Sequence, residues 1–319
     1  MTIDMHTHLF MKGFYHESHV DEYVAANARW VPATTIEEAM AEVKRTILPT
    51  WWDEDGTGHI RRMDEAGIEK AVILHMDQAL LRGETEMTIE QQNKHVSDAA
   101  KKYPDRLIWF CGVDPRREGA VELFERCVTE WGAQGLKLYP GTGFLPTDRV
   151  VYPLYERASA WKIPVYTHMG PQGDPIYKNE GNNPVHWLRV LVDFPDLTVI
   201  GAHLANEFWR DLLALGKVRE NVMCDISAKQ IVAKQNYEQL CYILRRFLDV
   251  FGQERVMFGT DAPLIEYATP TKEWVEIIKD LPYKSPAPYR FTEEEVSALL
   301  DGNARRLLAS IPQQQSTLL

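Results

Sequence analysis

The sequence is poor in cysteine. Its 319 residues hold four, Cys111, Cys127, Cys224 and Cys241, with no CxxC spacing among them. This excludes a disulfide scaffold and the paired-cysteine zinc and redox motifs. Long apolar runs are also missing. No stretch approaches the roughly 20 residues of a membrane span. The start, Met1-Thr2-Ile3-Asp4-Met5-His6, lacks the basic residues and apolar stretch of a signal peptide. Positive charge is in deficit: 35 Lys and Arg face 46 Asp and Glu, a net charge of −11. Nucleic acid and anionic membranes are therefore poor partners, although a local positive pocket still admits an anionic small molecule. No GxGxxG follows the first strand-like run, which disfavours a dinucleotide-binding Rossmann domain. These absences leave the expectation of a cytoplasmic globular protein without an organic cofactor.

What is present is ordinary in bulk, with 45% hydrophobic and 25% charged residues, and regular in pattern. Eight short runs rich in Val, Ile and Leu recur: Ile3–His8, Ala71–Met76, Leu107–Val113, Gly135–Leu138, Pro164–Met169, Thr198–His203, Val222–Ser227 and Val256–Asp261. Continuous apolar runs of this length suit strands buried on both faces. Helical patterns lie between them. Thr88 with Gln91 and Thr292 with Glu295 fit capping boxes, and Glu118–Trp131, Asn206–Arg219 and Val232–Val250 read as helices. Eight strand–helix units predict an α/β fold, a distorted (β/α)8 TIM barrel, over a single domain 1–319. Such a barrel needs about 250 residues, leaving roughly 70 over. The first two strand starts are 68 residues apart, so much of the surplus is expected as an insertion between strands 1 and 2, about 9–58. The rest goes to the C-terminal end, with a frayed tail about 311–319.

Five of the ten histidines, His6, His8, His75, His168 and His203, fall at or near the C-terminal ends of these strands. In a barrel that end carries the active site. His6 and His8 form an H-x-H pair. Residues i and i+2 of a strand share a side, so both rings can reach one ion. His168 and His203, ending strands 5 and 6, read singly as core histidines. Asp261, after strand 8, reads singly as a turn cap. Strand 8 closes on strand 1, however, which sets Asp261 beside His6 and His8, where a buried carboxylate needs a partner. Together, His6, His8, His168 and Asp261 make a mononuclear metal site with room for water, whose pKa the ion lowers. Asp261 is then the base that takes the water's proton, and His203 polarises or protonates the substrate.

The ordered set Ile3-Asp4-Met5-His6-Thr7-His8, Tyr166-Thr167-His168, Gly201-Ala202-His203 and Phe258-Gly259-Thr260-Asp261, with Gly302-Asn303-Ala304-Arg305-Arg306-Leu307 near the end, resembles the amidohydrolase superfamily. The resemblance is to the branch similar to aminocarboxymuconate-semialdehyde decarboxylase and covers nearly the whole chain. It implies a distorted (β/α)8 barrel, metal ligands at His6, His8, His168 and Asp261, and a catalytic histidine outside the ligand set at His203. It also implies one divalent ion, zinc first and manganese or iron as alternatives. Two-metal members carry a bridging carbamylated lysine at the strand holding Lys137. The branch usually holds one metal, so Lys137 is read as binding substrate or pairing with Asp261. Members of the branch often self-associate, making a homo-oligomer an expectation.

Arg45 and Trp52 in the strand 1–2 segment, Tyr139 after strand 4, and His75 are further substrate-binding candidates. Arginine suits a carboxylate, and the segment suits a lid. The alternative is that its tryptophans pack a small core of their own. The first functional reading is a metal-dependent hydrolase of a small carboxylated ester, lactone or amide, acting through metal-activated water. The second is non-oxidative decarboxylation of an aromatic or unsaturated acid at the same site. The third, from another class, is a metal-free scaffold or binding protein.

Overall fold

A computed structural model describes residues 1–312. Among them, eight strands form one parallel sheet in chain order: β1 (Ile3–Thr7), β2 (Lys70–Leu74), β3 (Leu107–Gly112), β4 (Leu136–Leu138), β5 (Val165–Thr167), β6 (Val199–Gly201), β7 (Val222–Asp225) and β8 (Val256–Met257). The chain at β8 returns to β1 through Met5 N donating to Phe258 O at 2.9 Å and Asp261 N donating to His6 O at 2.8 Å, and through a parallel bridge between Thr7 and Ala262. The expected TIM barrel is thus present, with all eight strands where the apolar runs lie. Residues 313–319, most of the expected frayed tail, lie outside the described residues. Among the described residues, no helix is long and apolar enough to cross a membrane.

Alternation along the strands divides two cores. Val72, Leu74, Phe110, Tyr166 and Ile200 belong to an inner cluster, which the C-terminal helix (Asn303–Ser310) joins through Ala304 and Leu307. Ala71, Ile73, Trp109, Leu136 and Val165 pack outward with the helix layer. This is the period-2 pattern of a strand covered on both faces.

The two capping boxes form as expected, at Thr88 and Thr292. Three expectations about element ends fail for local reasons. The helix expected over Val232–Val250 is two helices, Lys229–Gln235 and Tyr237–Phe251. Asn236 breaks it because its side chain accepts from Gln239 N at 3.0 Å and caps the second helix. The strand expected over Val256–Asp261 ends at Met257. Beyond it, Asp4 captures Thr260, accepting from its amide at 3.1 Å and its hydroxyl at 2.6 Å, and Asp261 turns to φ 61°. The helix expected from Asn206 starts at Trp209, because four residues before it adopt left-handed backbone.

Between β1 and β2 lie helices Glu17–Ala28, Ile36–Glu42, Leu48–Trp51 and Thr57–Ala66. Phe10, Val24, Ala39, Val43, Ile47 and Trp51 make a separate apolar cluster there, closed by Leu264 from beyond β8. Trp51 is therefore a core residue of this segment.

Candidate metal centre and active site

β1 delivers the first two donors. His6 Nε2 and His8 Nε2 lie 3.2 Å apart, as expected for i and i+2. Asp261 Oδ1 lies 3.0 Å from His8 Nε2 and 3.5 Å from His6 Nε2. The other imidazole nitrogens settle the tautomers. His6 Nδ1 donates to Asp225 Oδ2 at 3.1 Å, and His8 Nδ1 donates to Leu74 O at 2.7 Å. A carboxylate and a carbonyl only accept, so each proton sits on Nδ1 and each Nε2 presents a lone pair. Two lone pairs and a carboxylate oxygen converging at these distances repel one another, and a divalent cation among them removes the repulsion. The donor set therefore fits a metal ion, with imidazole and carboxylate suited to zinc, manganese or iron.

His168, after β5, lines the same cavity. Its ring stacks on Tyr139 with centroids 4.5 Å apart, and Gln172 Nε2 donates to its Nε2 at 3.0 Å. His203 stands across from His6, with ring centroids 4.7 Å apart. Ser227 gives its one hydroxyl proton to Asp225, so His203 Nδ1 donates to Ser227 Oγ at 2.8 Å. His203 Nε2 is then an acceptor. The donor atoms of His6, His203 and Asp261 lie within 4.8 Å of one another, and those of His6, His8 and Asp261 lie within 3.5 Å, so both histidines are candidate donors. Burial first, then neighbouring positive groups, holds His6 and His203 well below the usual imidazole range and His168 at about 3. All three are neutral at pH 7, the state that leaves lone pairs available.

Lys137 on β4 is 2% exposed. Its Nζ lies over the Tyr166 ring, 5.1 Å from the centroid, and finds no hydrogen-bond partner among the described residues. Burial lowers it to about 8, against the pull of Asp225 and Asp261. Most of the amine is still an ammonium at pH 7.

The cavity, about 110 Å³, is also lined by Tyr23, Met76, Gln172, Asn206 and Ala228. The backbone around it is strained. His203, Leu204, Ala205 and Asn206 have φ between 46° and 60°, and Ala228 and Asp261 have φ of 61°, each costing about 1–3 kcal/mol for a non-glycine residue. Close packing holds the first turn: a Cβ on Gly170 would stand 2.8 Å from Ala205 O. Lys229 Nζ also donates to Asn206 Oδ1 at 2.7 Å.

The structure brings His6, His8, His168, His203, Asp261, Lys137 and Tyr139 to one cavity. It does not bring the remaining candidates there. Arg45, with its side chain 71% exposed, pairs with Glu42, because Val43 and Ile47 turn inward and leave it outside. Trp52 packs on Phe10 with ring centroids 5.1 Å apart. His75 is buried against Phe14 at 5.4 Å and held at about 3 by burial. Arg116 and Arg117, two further cations, are taken by Asp114 and by Asp77 with Glu84. Asp225 is left unassigned by the sequence: it stands inside the expected strand Val222–Ser227, whereas the observed β7 ends on it. Tyr23, on the helix Glu17–Ala28, and Gln172, in the loop after β5, carry no spacing signal.

The amidohydrolase family model matches residues 3–309. No curated relative matches by sequence. Among solved structures, an uncharacterised TIM-barrel protein from Bordetella bronchiseptica is 24% identical, with 97% of this chain and 98% of that one covered and a TM-score of 0.67. A 5-carboxyvanillate decarboxylase from Novosphingobium aromaticivorans, complexed with manganese and 4-hydroxy-3-methoxy-5-nitrobenzoic acid, is 17% identical over 97% and 96%, with a TM-score of 0.65. A 2,6-dihydroxybenzoate decarboxylase from Rhizobium is 18% identical over 97% and 98%, with a TM-score of 0.63. At these identities the solved structures speak for the shared barrel, while the family match sets aside the metal-free scaffold. From residue 3 to residue 309, the chain belongs to the amidohydrolase family of metal-dependent enzymes.

Proposed function

We propose that this enzyme is a metal-dependent decarboxylase of a small aromatic carboxylic acid. The observation that carries the reading is the Lys137 ammonium, buried and unpartnered beside the histidine–aspartate donors. A buried unpaired cation is costly, and a substrate carboxylate relieves it. The cavity of about 110 Å³ is below the roughly 300–1,000 Å³ of drug-sized sites, which suits one ring. The decarboxylases of similar fold, one of them bound to manganese and a nitrobenzoic acid, support the same chemistry.

His6, His8, His168 and Asp261 would hold one divalent ion, manganese or zinc, which supplies Lewis acidity toward substrate oxygens. Lys137 pairs with the carboxylate and Tyr139 offers the ring a flat wall. His203 Nε2 accepts a hydrogen bond from a substrate hydroxyl. Asp261, with its side chain 14% exposed, draws a proton from water and delivers it to the ring carbon as the bond to CO2 breaks. A second reading, hydrolysis of a lactone or ester, is favoured by the two proton acceptors, His203 Nε2 and Asp261, facing one cavity.

The test is a panel of hydroxylated aromatic acids and lactones given to metal-loaded protein, followed for both CO2 and ring-opened acids. CO2 with loss of one carboxylate is expected; hydrolysis products alone overturn the proposal. His168→Ala is expected to lose metal, whereas His203→Ala keeps metal and loses turnover. Full turnover in His203→Ala contradicts its role.

A further inference from the structure

The charges around the cavity restrict the substrate further. Among the described residues lining it, Lys137 alone carries an ammonium or guanidinium. Beyond the lining, Lys229 is bonded to Asn206 Oδ1, and Arg82 lies in a neighbouring cleft that shares Met76 with the cavity. Its guanidinium is buried but already matched: Nη2 donates to Glu22 at 2.5 Å and to Asp174 at 3.1 Å. A second substrate carboxylate there would meet two carboxylates on one guanidinium. What the cleft does offer is buried nitrogen without a partner, at Arg82 Nε, Gln78 Nε2 and His19 Nε2. The Gln78 amide and the Arg82 Nε–H are donors. Unmet donors in a cleft whose one guanidinium already faces two carboxylates suit a neutral oxygen better than an anion.

We infer that the substrate is a monocarboxylic acid, its one carboxylate on Lys137 and its other polar substituent a neutral oxygen directed past Met76 toward Gln78 and Arg82. A methionine between the two spaces is a flexible wall that can yield to such a substituent. The inference rests on the proposed decarboxylase reading but concerns binding, so it is read without turnover.

The test is calorimetric titration of manganese-loaded protein with 3-hydroxybenzoate, benzoate and isophthalate. The hydroxy monoacid is expected to bind at least tenfold more tightly than the diacid and more tightly than benzoate. Gln78→Leu should remove the advantage over benzoate but not the preference over the diacid. Lys137→Met should weaken the monoacid at least tenfold. Replacing a buried unpaired ammonium by an apolar chain should not lower the melting temperature, which separates lost binding from lost folding. Isophthalate binding as tightly as the monoacid overturns the inference and leaves decarboxylation to product analysis. Failure of all three acids to bind overturns both. Unchanged preferences in Gln78→Leu assign the cleft to structural water and overturn the neutral-oxygen half.

Discussion

Asp225 makes the histidines what they are. It is fully buried and receives His6 Nδ1, Tyr166 OH at 2.5 Å, the Ser227 hydroxyl and the Ser227 amide at 2.6 Å. Through Ser227 it also fixes His203. Carboxylates that orient a ligand imidazole typically contribute 10–100-fold to metal affinity. Asp225→Asn is therefore expected to lower manganese affinity about 10–100-fold, measured by competition with a chelating dye. An unchanged affinity shows that the His6 tautomer is held by something else. The sequence sets both Asp225 and Asp261 in apolar runs, one inside Val222–Ser227 and the other ending Val256–Asp261. Nothing in linear spacing says that one serves the imidazoles and the other faces the cavity. Arg45 shows the reverse failure: a residue type suited to carboxylates, placed by its turn on the outside.

At the scale of elements, the segments after β6 and β7 brace each other. The left-handed turn 203–206 presents His203 and Asn206, and Lys229, opening the helix after β7, bonds to Asn206. Burial lowers both Lys229 and Lys137 to about 8. Unfolded, a lysine titrates near 10.4. Between about 8 and 10 the unfolded chain thus holds protons that the folded chain has released, and stability rises with pH across that window. Urea melts from pH 7 to 10 should show this rise, with a shallower slope in Lys229→Met. A slope that persists unchanged means Lys229 is not desolvated. The same variant should lower turnover, because the turn carrying His203 loses a brace. The second cap is simpler. Asn236→Ala should cost about 1 kcal/mol by loss of the bond to Gln239 N, seen as a lower melting temperature with activity retained. Sequence located these helices well, since apolar periodicity survives tertiary context. It missed the break at Asn236 because an uninterrupted apolar stripe outweighs a single polar residue.

Across the whole molecule, the barrel was legible because eight buried strands repeat at the spacing of one strand and one helix. The proposed metal set shares one cavity because a barrel gathers its strand ends at one face, which brings His6, His8, His168 and Asp261 together across 255 positions of sequence. The cavity walls were not legible. Tyr23, Met76 and Gln172 come from segments between strands, where position depends on packing and not on period. The account's central claim is that this family member removes a carboxylate instead of adding water. The most direct measurement runs the reaction of the metal-loaded enzyme in D2O and, separately, in 18O-labelled water, with products read by mass spectrometry. Decarboxylation predicts one deuterium on the carbon that lost CO2 and no 18O in the aromatic product. A product that keeps its carboxylate and carries 18O from water contradicts the account.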